Sequence, residues 1–258
     1  MRDSFPIGRI FNIEIRVHYL FPLILAFLVM SAESPLMAFF LVMMLFGVVF
    51  LHELGHSLAA QSFGIQVIDI TFWPLGGMAR MADLPENPRI EGLVAIAGPA
   101  VNGVLFTAGL LFHVLFGVEL VANSVPGYFV AINLMMGLFN LIPAFPMDGG
   151  RILRAWLARK RNWVQATEQA VHIGRAFALG MIVFGYWLTG GCIMPLIGAW
   201  VWWMGARELW YVRMREKART AYESTMWRGS QPLRGLSPED LQDLEDYRGQ
   251  LKDFDQRD

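Results

Sequence analysis

Apolar and polar positions fall into two patterns along this chain. Six stretches are dominated by apolar residues: Tyr19–Ala32, Leu36–Phe63, Ile90–Phe116, Gly127–Ile142, Ile173–Thr189 and Ile193–Val212. A bilayer core about 30 Å thick takes about 20 helical residues, so these read as membrane spans, the first and fourth being short. The second pattern is alternation. In Phe11–His18, Phe11, Ile13, Ile15 and Val17 alternate with Asn12, Glu14, Arg16 and His18, the period-2 signature of a strand with one wet face. Gln66–Met81 is β-branched and aromatic and is broken by Pro74 and Gly76-Gly77. The expected fold is an all-α polytopic membrane protein of about six transmembrane helices, with a small β-ribbon at the cytoplasmic membrane surface.

Charge placement orients the spans. Arg2, Arg9 and Arg16 precede the first, and Arg80 and Arg89 lie between the second and third. Arg151, Arg154, Arg159, Lys160 and Arg161 follow the fourth, and Arg207, Arg213, Arg215, Lys217 and Arg219 close the last. The remaining connections hold only the acids Glu33 and Glu119. Basic residues stay on the cytoplasmic side, so both termini are expected there. A cleaved signal peptide is the competing reading of the N-terminus, and strand-like sequence ahead of the first apolar run argues against it. Composition agrees with a membrane protein: of 258 residues only 17% are charged, against about 25% in soluble domains. A net charge of -1 gives no ground for nucleic-acid binding. A single cysteine, Cys192, excludes an internal disulfide framework and a multi-cysteine metal site.

Two domains are expected: a transmembrane core over 1–212 and a cytoplasmic acidic tail over 213–258. From Ser237 the tail holds eight acidic and three basic residues. Ser237-Pro238-Glu239-Asp240 has the form of a helix start, and Leu241, Leu244, Tyr247, Leu251 and Phe254 recur at helical spacing. This short amphipathic helix offers a face to its own protein, to a partner or to a second copy of the chain.

Candidate chemistry lies where the second span stops being apolar. Leu36 to Leu51 reads LMAFFLVMMLFGVVFL, and then His52-Glu53-Leu54-Gly55-His56 brings three ionisable groups within five positions. A charged side chain at the middle of a membrane helix costs roughly 2.5–3.5 kcal/mol on insertion scales. Residues four apart share a helix face, so His52 and His56 can present their imidazoles to one zinc ion. Glu53, about 100° round the helix, can reach a water bound to that ion and act as general base. A catalytic zinc needs a third protein ligand beside a site for water. Asp148 stands out because it follows a broken span, Asn140-Leu141-Ile142-Pro143-Ala144-Phe145-Pro146-Met147. Pro143 and Pro146 stop the helix, and Gly149-Gly150 are expected to let the chain turn tightly behind the aspartate.

HELGH within a transmembrane helix, followed by NLIPAFPMDGGR, resembles the site-2 protease family of intramembrane zinc metalloproteases. Gly98-Pro99-Ala100-Val101-Asn102 and Leu75-Gly76-Gly77 match further elements of that family. The resemblance runs from roughly Ile7 to Arg154. It implies one zinc per chain held by His52, His56 and Asp148, with Glu53 as catalytic base. It also implies that Asn140 holds the substrate backbone or steadies developing charge. The ribbon around Gly76 and Gly77 would receive an unwound substrate strand by strand addition. The implied substrates are proteins with a transmembrane segment, such as membrane-tethered transcription regulators, anti-sigma factors or signal-peptide remnants, in a bacterial cytoplasmic membrane. The chain departs from larger relatives in having no PDZ-like insertion between the third and fourth spans and no room for a nucleotide-sensing C-terminal domain. Three rival readings stay open: a metal transporter using the same ligands, a non-catalytic binder of membrane segments, and a zinc protease of the prenyl-protein processing type, which would use a glutamate as third ligand.

Overall fold

The computed structural model describes residues 4–73, 76–81, 85–121, 124–227 and 242. The chain divides into two compact units. Asp3–Pro143 and Met147–Trp156 form the first, and the second holds Ala144–Pro146 and the chain from Leu157. In the first unit the order is β1 (Ser4–Ile10), β2 (Ile13–His18), α1 (Leu20–Met30), α2 (Pro35–Ser62), β3 (Val67–Trp73), β4 (Gly76–Met81), α3 (Pro88–Phe116), α4 (Val125–Asn140) and α5 (Asp148–Leu157). The second contains α6 (Trp163–Thr189) and α7 (Ile193–Trp227).

The expected ribbon is a four-stranded sheet of order β1-β2-β3-β4. β1 and β2 form a hairpin whose turn residues, Phe11 and Asn12, have φ of 51° and 63°, the sign that a tight two-residue hairpin turn demands. β2 and β3 are parallel, with Ile15 opposite Ile70 and Val17 opposite Phe72, so α1 and α2 form the crossover between them. β3 and β4 are antiparallel. Strand β1 has no sequence signal because Pro6 and Gly8 interrupt its alternation, and the register shifts between those two residues. The expected alternation holds for Ile13, Ile15 and Val17, which are buried with Val67, Ile70 and Phe72 of β3, Ala60 of α2 and Val94 of α3, whereas Phe11 is exposed in the turn and His18, expected on the wet face, is buried. Phe21, Phe46 and Phe72 close that core edge to face, with centroids 4.4 Å apart for Phe21–Phe46 and 6.1 Å for Phe46–Phe72. The one charged residue buried in β3, Asp69, is ion-paired to Arg80 of β4 and accepts a hydrogen bond from Thr71 at 3.1 Å.

Among the described residues, three helices are long and apolar enough to cross a membrane: Pro35–Ser62, Pro88–Phe116 and Trp163–Trp187. Leu20–Met30 and Val125–Asn140 are shorter apolar helices. The 11 residues of α1 reach only about 16 Å at the helical rise. In α7 the run without ionisable groups ends at Arg207, and the helix continues to Trp227, beyond the core boundary expected at Val212. Large apolar side chains such as Phe27, Met30, Leu36, Val114 and Leu115 are exposed. Soluble proteins rarely expose contiguous apolar surface on this scale, whereas a lipid environment accepts it. The amphipathic helix expected after Ser237 lies outside the described residues.

Caps and glycines set the helix ends and contacts that position the site. Asn87 caps α3 by accepting from the backbone of Arg89 at 2.9 Å, with Pro88 at the first helical position. Gly55 brings α2 against α3, since a Cβ there would lie 2.8 Å from Val101 Cγ2 and 3.0 Å from the Ala97 carbonyl. In the second unit, Arg213 pairs with Glu168 at 2.6 Å and the Arg175 guanidinium lies 5.1 Å from the Trp202 ring centre, joining α6 to α7.

Candidate metal centre

His52 and His56 sit one turn apart on α2 and both are buried. Their Nε2 atoms are 3.1 Å apart, and Asp148 Oδ2 lies 3.3 Å from His52 Nε2 and 3.1 Å from His56 Nε2. For tetrahedral zinc with bonds of about 2.0–2.1 Å, neighbouring ligand atoms should be about 3.3 Å apart. The three atoms therefore match one face of a zinc coordination tetrahedron, and no fourth His, Cys, Asp or Glu joins them among the described residues. A set of three protein donors, if it held zinc, would have the composition of a catalytic rather than a structural site.

Both imidazoles are oriented from behind. His56 Nδ1 is 2.7 Å from the Val94 carbonyl, and His52 Nδ1 is 2.6 Å from Asn102 Oδ1. Each oxygen accepts a hydrogen bond from Nδ1–H, which leaves the Nε2 lone pairs turned towards the common centre. Helix α3 supplies both acceptors because it lies close behind the rings at Gly98. A Cβ at that position would overlap His56 Nε2 and come within 2.8 Å of His52 Cε1. In the Gly98-Pro99-Ala100-Val101-Asn102 element, the glycine thus leaves room for the rings and the asparagine holds one of them.

Asp148 is the first residue of α5, where the helix dipole favours a carboxylate. The glycines after it are helical, which corrects the expected tight turn. Gly149 is required for space: a Cβ there would overlap the carbonyl oxygens of Leu141 and Ile142, just past the end of α4. Helix α5 is also fixed at its middle. Arg154 Nε lies 3.1 and 3.2 Å from the two carboxylate oxygens of Glu91 on α3, and both residues are buried. Beside this pair, a Cβ on Gly92 would sit 3.4 Å from Ala155 Cβ.

Glu53 is half-buried beside this cluster, and the Ala79 backbone N–H donates to its carboxylate. Strand β4, at the edge of the sheet, passes over it. A Cβ on Gly77 would come within 3.1 Å of Glu53 Cγ and 2.9 Å of Val49 Cγ1. Gly76 and Gly77 open that strand, opposite Trp73 and Phe72. Asn140 is the last residue of α4, and its amide donates to the Met136 carbonyl at 3.0 Å. Sequence alone gives no role to three groups at the centre: Asn102, Asn133, and the Glu91–Arg154 pair. Each is a polar side chain in or beside an apolar helix, and that was the available signal. His18, stacked on Trp73 at 4.1 Å, and His113, on the Val118 carbonyl, stand apart from the cluster.

The sequence model of peptidase family M50 matches residues 39–127 and 118–181. The chain is similar to a zinc metalloprotease of Methanocaldococcus jannaschii, at 36% identity over 81% of this chain and 61% of that protein. It is 33% identical to the Mycobacterium tuberculosis protein Rip3 over 81% of this chain and 59% of that one. It thus spans about three fifths of the length of these two relatives. A solved site-2 protease from Methanocaldococcus jannaschii, 34% identical, superposes with a TM-score of 0.59 over 80% of this chain and 95% of that one.

Proposed function

The chain belongs to peptidase family M50, and from that premise we propose that it is an intramembrane zinc endopeptidase acting on membrane-tethered proteins. The resemblance read from the HELGH and NLIPAFPMDGGR motifs agrees with that membership. The observation that carries the reading is the meeting of His52, His56 and Asp148, with ligand atoms at zinc-ligand spacing, at the end of an apolar helix. His52 and His56 would hold the metal through Nε2 and Asp148 through Oδ2. Bound there, zinc polarises a scissile carbonyl and lowers the pKa of a water to about 7.

The chain's own residues supply the remainder. Glu53 accepts the proton of the attacking water on its carboxylate and returns it to the departing amine nitrogen as the C–N bond breaks. Net, one water is added across the peptide bond. A helical peptide bond is shielded by its own hydrogen bonding, so the substrate segment must unwind first. The outer edge of β4 beside Glu53, which pairs with no further strand among the described residues, can take up such an extended strand through backbone hydrogen bonds, and Gly76 and Gly77 let it approach closely. Asn140 is assigned to the substrate backbone or to the developing charge, on the family resemblance.

Six membrane spans with both termini cytoplasmic remain the topology that the arginine and lysine distribution supports. A bacterial cytoplasmic membrane and a tethered regulator or signal-peptide remnant as substrate complete the reading. Residues 1–212 are taken as the protease core and 213–258 as an accessory tail.

The test uses the full chain in liposomes with a single-span substrate carrying helix-breaking residues in its membrane segment. Cleavage within that segment, stopped by a zinc chelator and restored by added zinc, is the expected result. Zinc passage into the liposomes without cleavage would replace this reading with that of a transporter.

A further inference from the structure

His52 is held by a chain of side-chain amides that ends on a backbone carbonyl. Its Nδ1 lies 2.6 Å from Asn102 Oδ1, Asn102 Nδ2 donates to Asn133 Oδ1 at 3.2 Å, and Asn133 Nδ2 donates to the Phe129 carbonyl at 2.9 Å. The chain passes from α2 through α3 to α4, and both asparagines are at most 1% exposed. Its direction is fixed from the far end. A backbone carbonyl can only accept, so Asn133 must turn its amide nitrogen to Phe129 and its oxygen to Asn102. Asn102 must then offer its own nitrogen to Asn133, which leaves its oxygen facing His52. An oxygen against Nδ1 requires the proton to be on Nδ1. The free lone pair is then on Nε2, the atom that faces Asp148 and His56.

We propose that Asn133 is a positioning residue which, acting through Asn102, holds His52 in the tautomer able to bind zinc. The inference rests on the zinc-site reading above. A reversed Asn102 would present its NH2 to Nδ1, and His52 would then carry its proton on Nε2, where it blocks the metal. Both orientations of the Asn102 amide fit the same shape, so packing alone does not choose between them. The choice comes from the acceptor on α4. His56 needs no such relay, because the Val94 carbonyl meets its Nδ1 directly.

Zinc affinity of the purified full chain, measured by competition with a chromophoric chelator, tests this, with thermal unfolding of the zinc-free protein measured in parallel. Asn133→Leu removes the acceptor and should weaken zinc binding about 10-fold or more, the scale typical of losing a partner behind a metal ligand. Asn133→Asp offers only acceptor oxygens, preserves the direction of Asn102, and should bind zinc more tightly than the leucine variant even if it unfolds more readily. At position 102, Asn102→Asp should likewise bind more tightly than Asn102→Leu. Zinc affinity that follows thermal stability rather than acceptor chemistry, or an Asn133→Leu variant equal to wild type, overturns the relay while leaving the site intact. Wild-type protein that binds no zinc removes the site and the relay together.

Discussion

The Glu53→Gln variant is expected to keep its zinc while losing cleavage by about 10²–10⁴-fold, the usual range for removing a positioned general base. Glutamine has nearly the same shape, so Val49 and Gly77, which pack around this side chain, are undisturbed. His52, His56 and Asp148, the residues proposed to hold zinc, are unchanged, and the rings keep their acceptors at Asn102 and Val94. What is lost is the capacity to take a proton from water and hand it to the amine. Zinc content and cleavage of the same membrane-anchored substrate, measured on one preparation, check the prediction. Equal loss of zinc and activity would mean that Glu53 helps to build the site. Retained turnover would mean that another group carries the proton.

The Glu91→Ala variant is expected to lose about 3–5 kcal/mol of stability, the cost of removing one partner of a buried ion pair. Glu91 and Arg154 are both buried, and Arg151 Nε is a further 3.9 Å neighbour of the same carboxylate. Removing the carboxylate leaves the Arg154 guanidinium out of water without that counter-charge. The pair ties α5 to α3, and α5 begins with Asp148. Loosening it should therefore also weaken zinc binding. A double substitution, Glu91→Leu with Arg154→Met, replaces both charges with apolar side chains of comparable size. Such exchanges are often neutral, so the double variant should be markedly more stable than Glu91→Ala. Thermal unfolding in detergent compares the three proteins. A Glu91→Ala variant as stable as wild type would show that the pair does not hold α5.

The reach of sequence reasoning follows the range of the interactions involved. His52 and His56 form a local pair whose spacing fixes their common face, so the first half of the centre is legible on one helix. Asp148 is legible because Pro143 and Pro146 end a span before it. Gly149 and Gly150 read as a tight turn because glycine tolerates one, whereas both lie in the first turn of α5 and Gly149 packs against the end of α4. Burial of β2 follows from its alternation, but β1 is masked by Pro6 and Gly8. The Asn102–Asn133 and Glu91–Arg154 contacts join residues 31 and 63 apart in sequence. Only the docking of α3 on its neighbours decides those partners. The sequence marks the residues as polar groups in apolar surroundings that need a partner, without saying which.

Zinc per chain, taken on detergent-purified wild type and on His56→Ala and Asp148→Ala, tests directly whether these residues hold a metal. About one zinc is expected in wild type, lost or sharply weakened in both variants. Wild-type protein that stays metal-free after reconstitution with zinc, or an Asp148→Ala variant with undiminished zinc content, would contradict it.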